Sequence, residues 1–413
     1  MIFVYYFFAA VLIVLSYKSF RGGIGYLNFF KRELAKPRSG YTQFATVFVP
    51  CRGLDQDLRE NLSALFRQDY PEYEIVFIVD DETDEAVPVI KGLMNAQNIP
   101  AKLVIAPKST DSGQKVENLR EGVRHASPGS RIFVFVDSDA RPASNWLRSL
   151  VAPLEDANTG AATGYRWFIS KKPAGFSSEM RVVWNASIAS ALGPDTGGNF
   201  CWGGSTAVRR EIFDKLGIRE RWRGTLSDDF TVTRAMKEAG MPIVFVPGAL
   251  AASVENCAFR ELLEFTTRQM KITRVYSRHL WIASFIGSGL FNLVWIWGIA
   301  VIAYRLTYGG RVWPTVTALL AVAALSTGKS LLRLNAVKLV LKDYRKDLAR
   351  QFWTQNTLWI LSPALFFYNS LAALLSRRIT WRGTIYELKS ASETNIIKIV
   401  MLGRREEKSC PEE

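Results

Sequence analysis

The sequence predicts an α/β domain built on a mostly parallel sheet with helices on both faces, set between membrane-spanning helices near the two ends of the chain. Three observations predict it. Short apolar runs at Ala45–Pro50, Glu74–Val79, Lys102–Ala106 and 132–136 alternate with segments of helical spacing, the pattern of right-handed β-α-β crossovers. The fourth run, Ile-Phe-Val-Phe-Val, is unbroken, as in a strand covered on both faces, and stops at Asp137-Ser138-Asp139. Uncharged stretches at 2–17, 281–304, 312–328 and 352–376 stand outside this region, and 281–304 is long enough to cross a bilayer alone.

The first stretch is short and rich in aromatics. It lacks the leading charges and small-residue cleavage site of a signal peptide, so residues 1–20 are read as an uncleaved anchor. Residues 42–256 form the soluble domain, 257–280 an amphipathic helix, 281–376 a membrane region of two to three spans, and 377–413 a polar tail. Trp281, Trp295, Trp297, Trp313 and Trp353 lie in or at the ends of the apolar stretches, as interfacial aromatics do. The net charge of +14 gathers beside these stretches: residues 18–38 carry six basic residues against one acid, and 329–350 seven against two. That distribution puts the soluble domain on the cytoplasmic side and attracts anionic lipid, and it leaves no role for a nucleic-acid partner. Three spans after the domain would put the tail on the far side, whereas Arg377, Arg378 and Arg382 hold it inside. Either 352–376 or 312–328 is therefore interfacial or re-entrant. The four cysteines form no CxxC pair and fit a reducing compartment.

Within the domain, helical spacing at Leu58, Leu62, Leu65 and Phe66 follows the first strand, and helices are expected near 85–96 and 115–126. No GxGxxG follows the first strand and no GxxxxGK[ST] occurs anywhere, which excludes the dinucleotide fingerprint and the ATPase phosphate loop. The second strand ends at Asp80, Asp81 and Asp84, on the same sheet edge as Asp137 and Asp139. Side chains at i and i+2 of an extended segment point the same way, so Asp137 and Asp139 can converge on one hard cation. With only two histidines in the chain, oxygen ligands point to Mg²⁺ or Mn²⁺ shared with a substrate's phosphates. A glycine-rich turn region follows at 193–205, where Trp202-Gly203-Gly204 can bring backbone close to a ligand. Ser227 caps a helix opened by Asp228 and Asp229, and a strand at Pro242–Pro247 follows. The helix over 258–280 carries Arg260, Arg268, Lys271, Arg274 and Arg278 and leads straight into the long apolar stretch.

The order of these motifs resembles the family 2 glycosyltransferases, and within them the ceramide glucosyltransferase branch. The likeness covers about 44–280 and Thr380-Trp381-Arg382-Gly383. It is carried by Val49-Pro-Cys-Arg-Gly53-Leu-Asp55, Asn61-Leu62, Asp69-Tyr-Pro-Glu-Tyr73-Glu74, Val79-Asp-Asp81 and Lys115-Val-Glu-Asn118-Leu. The resemblance implies a GT-A-type fold and a UDP-sugar donor, bound by Asp80, Asp81, Asp84, Lys115 and Asp137. It puts Asp137, with Asp139, at the metal and diphosphate, and Asp229 in the role of catalytic base, with Asp228 where glutamate is common. Arg268-Gln269-Met-Lys271-Ile272 stands in place of the family's (Gln/Arg)-x-x-Arg-Trp motif, with lysine for arginine and no tryptophan. It is assigned with Asp228, Trp202 and Gly203 to the leaving group and acceptor.

The expected activity is inverting transfer of a sugar, glucose by resemblance, to a lipid hydroxyl such as that of ceramide. The protein would sit in a bacterial inner membrane or a Golgi or ER membrane. The rivals are a processive polysaccharide synthase of the cellulose or hyaluronan type, which the altered tryptophan motif and small membrane region disfavour, and a non-catalytic nucleotide-sugar binder. The apolar stretches hold no ionisable residue, which disfavours a transport path.

Overall fold

The computed structural model describes residues 2–399. The chain opens with α1 (Ile2–Leu34), a single helix that runs well past the expected anchor at 1–20. Its apolar first half buries Tyr5, Ala9 and Leu12, one helical face, while its second half buries Tyr26, Phe29 and Phe30 in the core of the soluble domain. The anchor and the domain are thus one continuous element.

The predicted alternation follows as β1 (Ala45–Pro50), α2 (Leu58–Leu65), β2 (Tyr73–Val79), α3 (Ala86–Ala96), β3 (Ala101–Ile105), α4 (Gln114–Gly122) and β4 (Ile132–Phe135). After α5 (Trp146–Val151) come β5 (Ala161–Thr163), β6 (Arg166–Ile169), α6 (Phe176–Ala189) and β7 (Thr206–Arg209). Two short helices, α7 (Arg210–Lys215) and α8 (Ile218–Arg221), lead to α9 (Asp228–Glu238), β8 (Ile243–Phe245) and β9 (Ala251–Val254). The main sheet runs β3-β2-β1-β4-β7-β5-β8, with β1 to β4 mutually parallel and β7 antiparallel to both neighbours. Strands β6 and β9 pair as a separate two-stranded sheet.

Both faces of the main sheet are covered, which is why its strands read as unbroken apolar runs. Val47, Ile75, Phe77 and Val134 face one core; Phe48, Val76, Phe133 and Phe135 face the other. Each buried aromatic contributes about 1.5–3 kcal/mol. From β1 the chain moves outward to β2 and β3, then returns to the opposite side of β1 as β4. The carboxyl ends of β1 and β4 therefore flank the switch point where open α/β sheets bind ligands.

The membrane side begins with α10 (Phe259–Tyr276), α11 (Arg278–Tyr308) and α12 (Trp313–Val340), of which α11 and α12, like α1, are long and apolar enough to cross a bilayer. Next come α13 (Arg345–Arg350), α14 (Phe352–Thr357) and α15 (Ser362–Leu375). The paired segments Phe352–Ile360 and Ser362–Leu375 meet at a 56° bend. Just before this bent segment, Gln351 Nε2 donates to the carbonyl of Phe168 in the soluble domain, 3.3 Å away. Just after it, Ile379 packs against Leu226 of the same domain. The bent pair has the length and apolarity of one broken span or of a re-entrant loop, and the basic residues at 377–382 follow it directly.

Residues 378–399, expected as part of a polar tail, instead form a three-stranded antiparallel sheet of β10 (Arg378–Trp381), β11 (Thr384–Ser390) and β12 (Glu393–Ile399). The reason is a period-two pattern that buries Ile379, Tyr386 and Leu388 against Leu226 and Ile272. Its first turn needs positive φ at both central residues, and Arg382 (φ 48°) and Gly383 (φ 76°) supply it. The expected polar tail from Arg404 lies outside the described residues.

Gly164 is where the chain passes from the main sheet to the β6–β9 pair, and a Cβ there would land on the carbonyl oxygen of Ala249 and on Ser205 Oγ. Gly164→Ala is expected to cost about 1–3 kcal/mol. A lowered thermal unfolding midpoint of the purified protein checks this, and an unchanged midpoint contradicts it.

Candidate active site

The carboxyl ends of β1 and β4, the start of α9 and the inner face of α10 enclose one cavity of about 680 Å³. Asp137 and Asp139 follow β4 into it. Lys115, in the first turn of α4, reaches across and pairs with Asp137 Oδ1 at 2.7 Å and Asp228 Oδ1 at 3.1 Å. Arg166 of β6 spans the other two carboxylate oxygens, Asp137 Oδ2 at 3.0 Å and Asp139 Oδ2 at 2.9 Å. Its guanidinium lies 4.7 Å from the Trp202 ring centre, held flat by that face.

These charges compensate one another. Burial drives the Asp137 pKa up, but Lys115 and Arg166 outweigh it and hold the carboxyl below its ordinary range. Burial disfavours a charged Lys115, yet Asp137, Asp228 and Asp229 keep it firmly protonated. At Asp139 burial wins over Arg166, and the nearby charges of Asp137 and Asp55 add to it, so its pKa is raised. Asp228 is pushed up to about 6 by burial first, with Asp229 and Asp137 adding to it against Lys115.

Asp229 is held differently. Ser227 caps α9, its hydroxyl donating to Asp229 Oδ1, which also accepts from the Phe230 amide at 2.7 Å. Asp229 Oδ2 accepts from the Gly203 amide at 3.3 Å. A side chain at Gly203 would collide with Asp228 Oδ2 and crowd Lys115, so this backbone must be bare to approach the acids. Asp229 is thereby a fixed acceptor at the cavity wall.

Other sequence-predicted residues divide. Arg268, Gln269 and Trp202 line the cavity. Arg268 stacks between Phe265 and Trp381, 5.6 and 5.3 Å from their ring centres. Burial, with Arg382 and Arg166 nearby, pushes its pKa down to about 10. It is a partly buried cation that an incoming polyanion would stabilise. Lys271 turns out of the cavity to donate to the carbonyl of Arg378 at 2.7 Å. The acids after β2 do not line it either: Asp80 and Asp81 pair with Lys108, each at 3.2 Å, and Asp84 accepts from the Gly53 and Ala86 amides. Asp84 caps the Ala86 amide, which has no helical partner at the start of α3, and ties down the Gly53 loop after β1.

Residues that the sequence left unassigned also enter the site. Asp55 accepts from Ser138 Oγ at 2.6 Å and pairs with Arg382 from the β10–β11 turn. Arg166 carried a signal, a lone cation between Tyr165 and Trp167-Phe168, since a charge inside a buried strand needs partners. Arg382 and Asp55 carried none beyond the resemblance. Apolar side chains line the cavity as well, Trp184 and Ile188 of α6, Ile272 of α10, Leu280 of α11 and Phe366 of α15.

One oxygen fits a divalent cation. Asp139 Oδ1 is buried without a hydrogen-bond donor. Among the described residues no three carboxylate, histidine or cysteine side chains converge as a complete metal cage. An incomplete oxygen set is the usual protein share of a Mg²⁺ or Mn²⁺ site that a diphosphate completes.

A switch-point acid pair, a stacked arginine without a carboxylate partner among the described residues, and a capped acid at a helix start thus line one cavity. The chain belongs to glycosyltransferase family 21, whose model matches residues 8–394. Ceramide glucosyltransferase 1 of Caenorhabditis elegans is 23% identical over 235 residues, 54% of this chain and 47% of that protein. Ceramide glucosyltransferase of Candida albicans is 30% identical over 122 residues, 26% of this chain and 22% of that protein. The matches thus span about half or less of the length of these relatives. Among solved structures, the mannosyltransferase PcManGT of Pyrobaculum calidifontis, in complex with GDP-Man and Mn²⁺, aligns over 89% of this chain and 99% of its own at 20% identity, with a TM-score of 0.46.

The raised pKa of Asp228 sets a pH dependence. An acid whose folded pKa exceeds the ordinary 3.8 adds stability below that value, and the contribution is lost as pH rises through about 6. Asp228→Asn is therefore expected to flatten the fall in thermal midpoint between pH 4 and 6. A slope equal to wild type would contradict the assignment.

Proposed function

We propose that this protein is a membrane-bound inverting glycosyltransferase that moves a sugar, glucose by resemblance, from a UDP-sugar to the hydroxyl of a membrane lipid such as ceramide. The observation that carries this is a single cavity joining a charged sheet edge to an apolar wall made partly by α11 and α15. The charged edge suits a nucleotide diphosphate, and the apolar wall suits an acyl or sphingoid chain. The basic flanks of α1 and α12 support a cytoplasmic catalytic domain.

In this reading the nucleoside lies toward Arg52, past the end of β1. The diphosphate lies against Arg268, with Lys115 and Arg166 fixing the acids around it. Asp137 and Asp139 would hold Mg²⁺ or Mn²⁺, which when bound supplies Lewis-acid neutralisation of the leaving phosphates. Asp229 accepts the proton of the acceptor hydroxyl as its oxygen attacks the anomeric carbon, and the bond to the UDP oxygen breaks. The Ser227, Phe230 and Gly203 donors aim that carboxylate before substrate arrives. Attack opposite the leaving group inverts the anomeric centre. The apolar wall confines the hydroxyl to one approach and excludes water, which limits hydrolysis of the donor.

Turnover in nanodiscs with UDP-glucose and ceramide tests this reading. Asp229→Asn is expected to lower kcat by about 10²-fold or more while leaving UDP binding near wild type. Full activity in Asp229→Asn would overturn the role of the base. A chelator is expected to abolish turnover and added Mn²⁺ to restore it, whereas equal rates under both conditions would contradict the metal assignment. Product longer than one sugar would favour the polysaccharide synthase instead.

A further inference from the structure

A second cavity, of about 140 Å³, lies between the membrane helices and the domain. It is lined by Ser19, Gly22 and Tyr26 of α1, Lys329 and Arg333 of α12, and Ser190 at the end of α6. Lys329 and Arg333 are four residues apart and so share one face of α12, where like charges repel. Arg333 is only 4% exposed. The hydrogen-bond partners of these cations are neutral: Lys329 Nζ donates to Ser19 Oγ at 2.7 Å, and Arg333 donates to Gln355 Oε1 at 3.4 Å. Among the described residues neither forms a salt bridge with a carboxylate.

Two further donors are buried there without an acceptor, Arg333 Nε and the Tyr26 hydroxyl. Two cations and a hydroxyl facing a polar cavity with no anion is an arrangement whose desolvation nothing offsets. The helix surface is also kept open: a Cβ at Gly22 would meet nothing within 4 Å, while Gly23 lets α1 lie against Lys329, whose Cγ a Cβ there would meet at 3.3 Å. Three glycines between 22 and 25 weaken a helix, so their presence needs such a reason. The site stands where apolar α1 and α12 become basic, the depth of lipid phosphates.

We propose that this cavity binds a phosphate group, from an anionic phospholipid headgroup or from free phosphate, with Lys329, Arg333 and Tyr26 as its donors. The site is separate from the catalytic cavity and does not depend on the proposed sugar transfer.

The test is native mass spectrometry of the full chain in detergent, with equal amounts of phosphatidylglycerol and phosphatidylcholine. Wild type is expected to retain one phosphatidylglycerol under activation that strips phosphatidylcholine. A Lys329→Gln/Arg333→Gln variant should bind it about tenfold more weakly or worse. Gly22→Leu, which fills the open space and keeps every charge, should lose it too. In a parallel arm, inorganic phosphate is added in thermal unfolding assays. A stabilisation of wild type that both variants lack, without retained lipid, assigns the site to free phosphate. Equal lipid retention by all three proteins, or no retained lipid together with no phosphate-dependent stabilisation, would overturn the proposal.

Discussion

Eight carboxylates line one cavity, Asp55, Asp137, Asp139, Asp228, Asp229, Glu255, Glu261 and Glu264, and those at the sheet edge are held together only because cations are interleaved among them. A buried acid without a partner protonates or destabilises the fold. Lys115 is the central compensation, because one ammonium joins the end of β4 to the start of α9. Arg166 does the same between β4 and β6, and Arg382 ties the C-terminal sheet to the loop after β1. These ion pairs are therefore also the joints between elements. The bare backbone at Gly203 follows from the same crowding, since it must reach Asp229 past the Lys115–Asp228 pair.

The same constraint explains the division of labour between the two neighbouring acids of α9. Asp228 is committed to Lys115 and carries the burden of burial. Asp229, half-buried and lining the cavity, is held by neutral donors alone. Fixing a carboxylate with hydroxyl and amide donors, and not with a second cation, leaves it free to take a proton. Ile272 of α10, Leu280 of α11 and Phe366 of α15 bring apolar surface to the same cavity.

Much of this was legible in the sequence, for identifiable reasons. Strands covered on both faces leave unbroken apolar runs, so β1, β2 and β4 and the position of Asp137 could be read directly. The α9 start was legible because an N-cap serine followed by two acids has a local meaning. The apolar length of α11 could be read for the same kind of reason. Lys271 and the Asp80–Asp84 cluster show where pattern stops: proximity to a sheet edge does not fix side-chain direction, and Lys108 and two backbone amides claim those acids. The C-terminal sheet was hidden because its strands are short and mostly polar, with Ile379, Tyr386 and Leu388 the only apolar side chains buried among the described residues. Arg382 and Asp55 come from positions 327 residues apart, and a pairing at that separation leaves no local trace.

The central claim is that one in-line displacement, driven by Asp229, joins a single sugar to a lipid from the charged side of the cavity to the apolar side. The measurement that tests it most directly is the anomeric configuration of the glycolipid made from α-linked UDP-glucose, read by proton NMR. A single β-linked sugar on the lipid is the expected result. An α-linked product would contradict the account, because retention requires a second displacement or a front-face route for which the cavity's fixed base is not arranged.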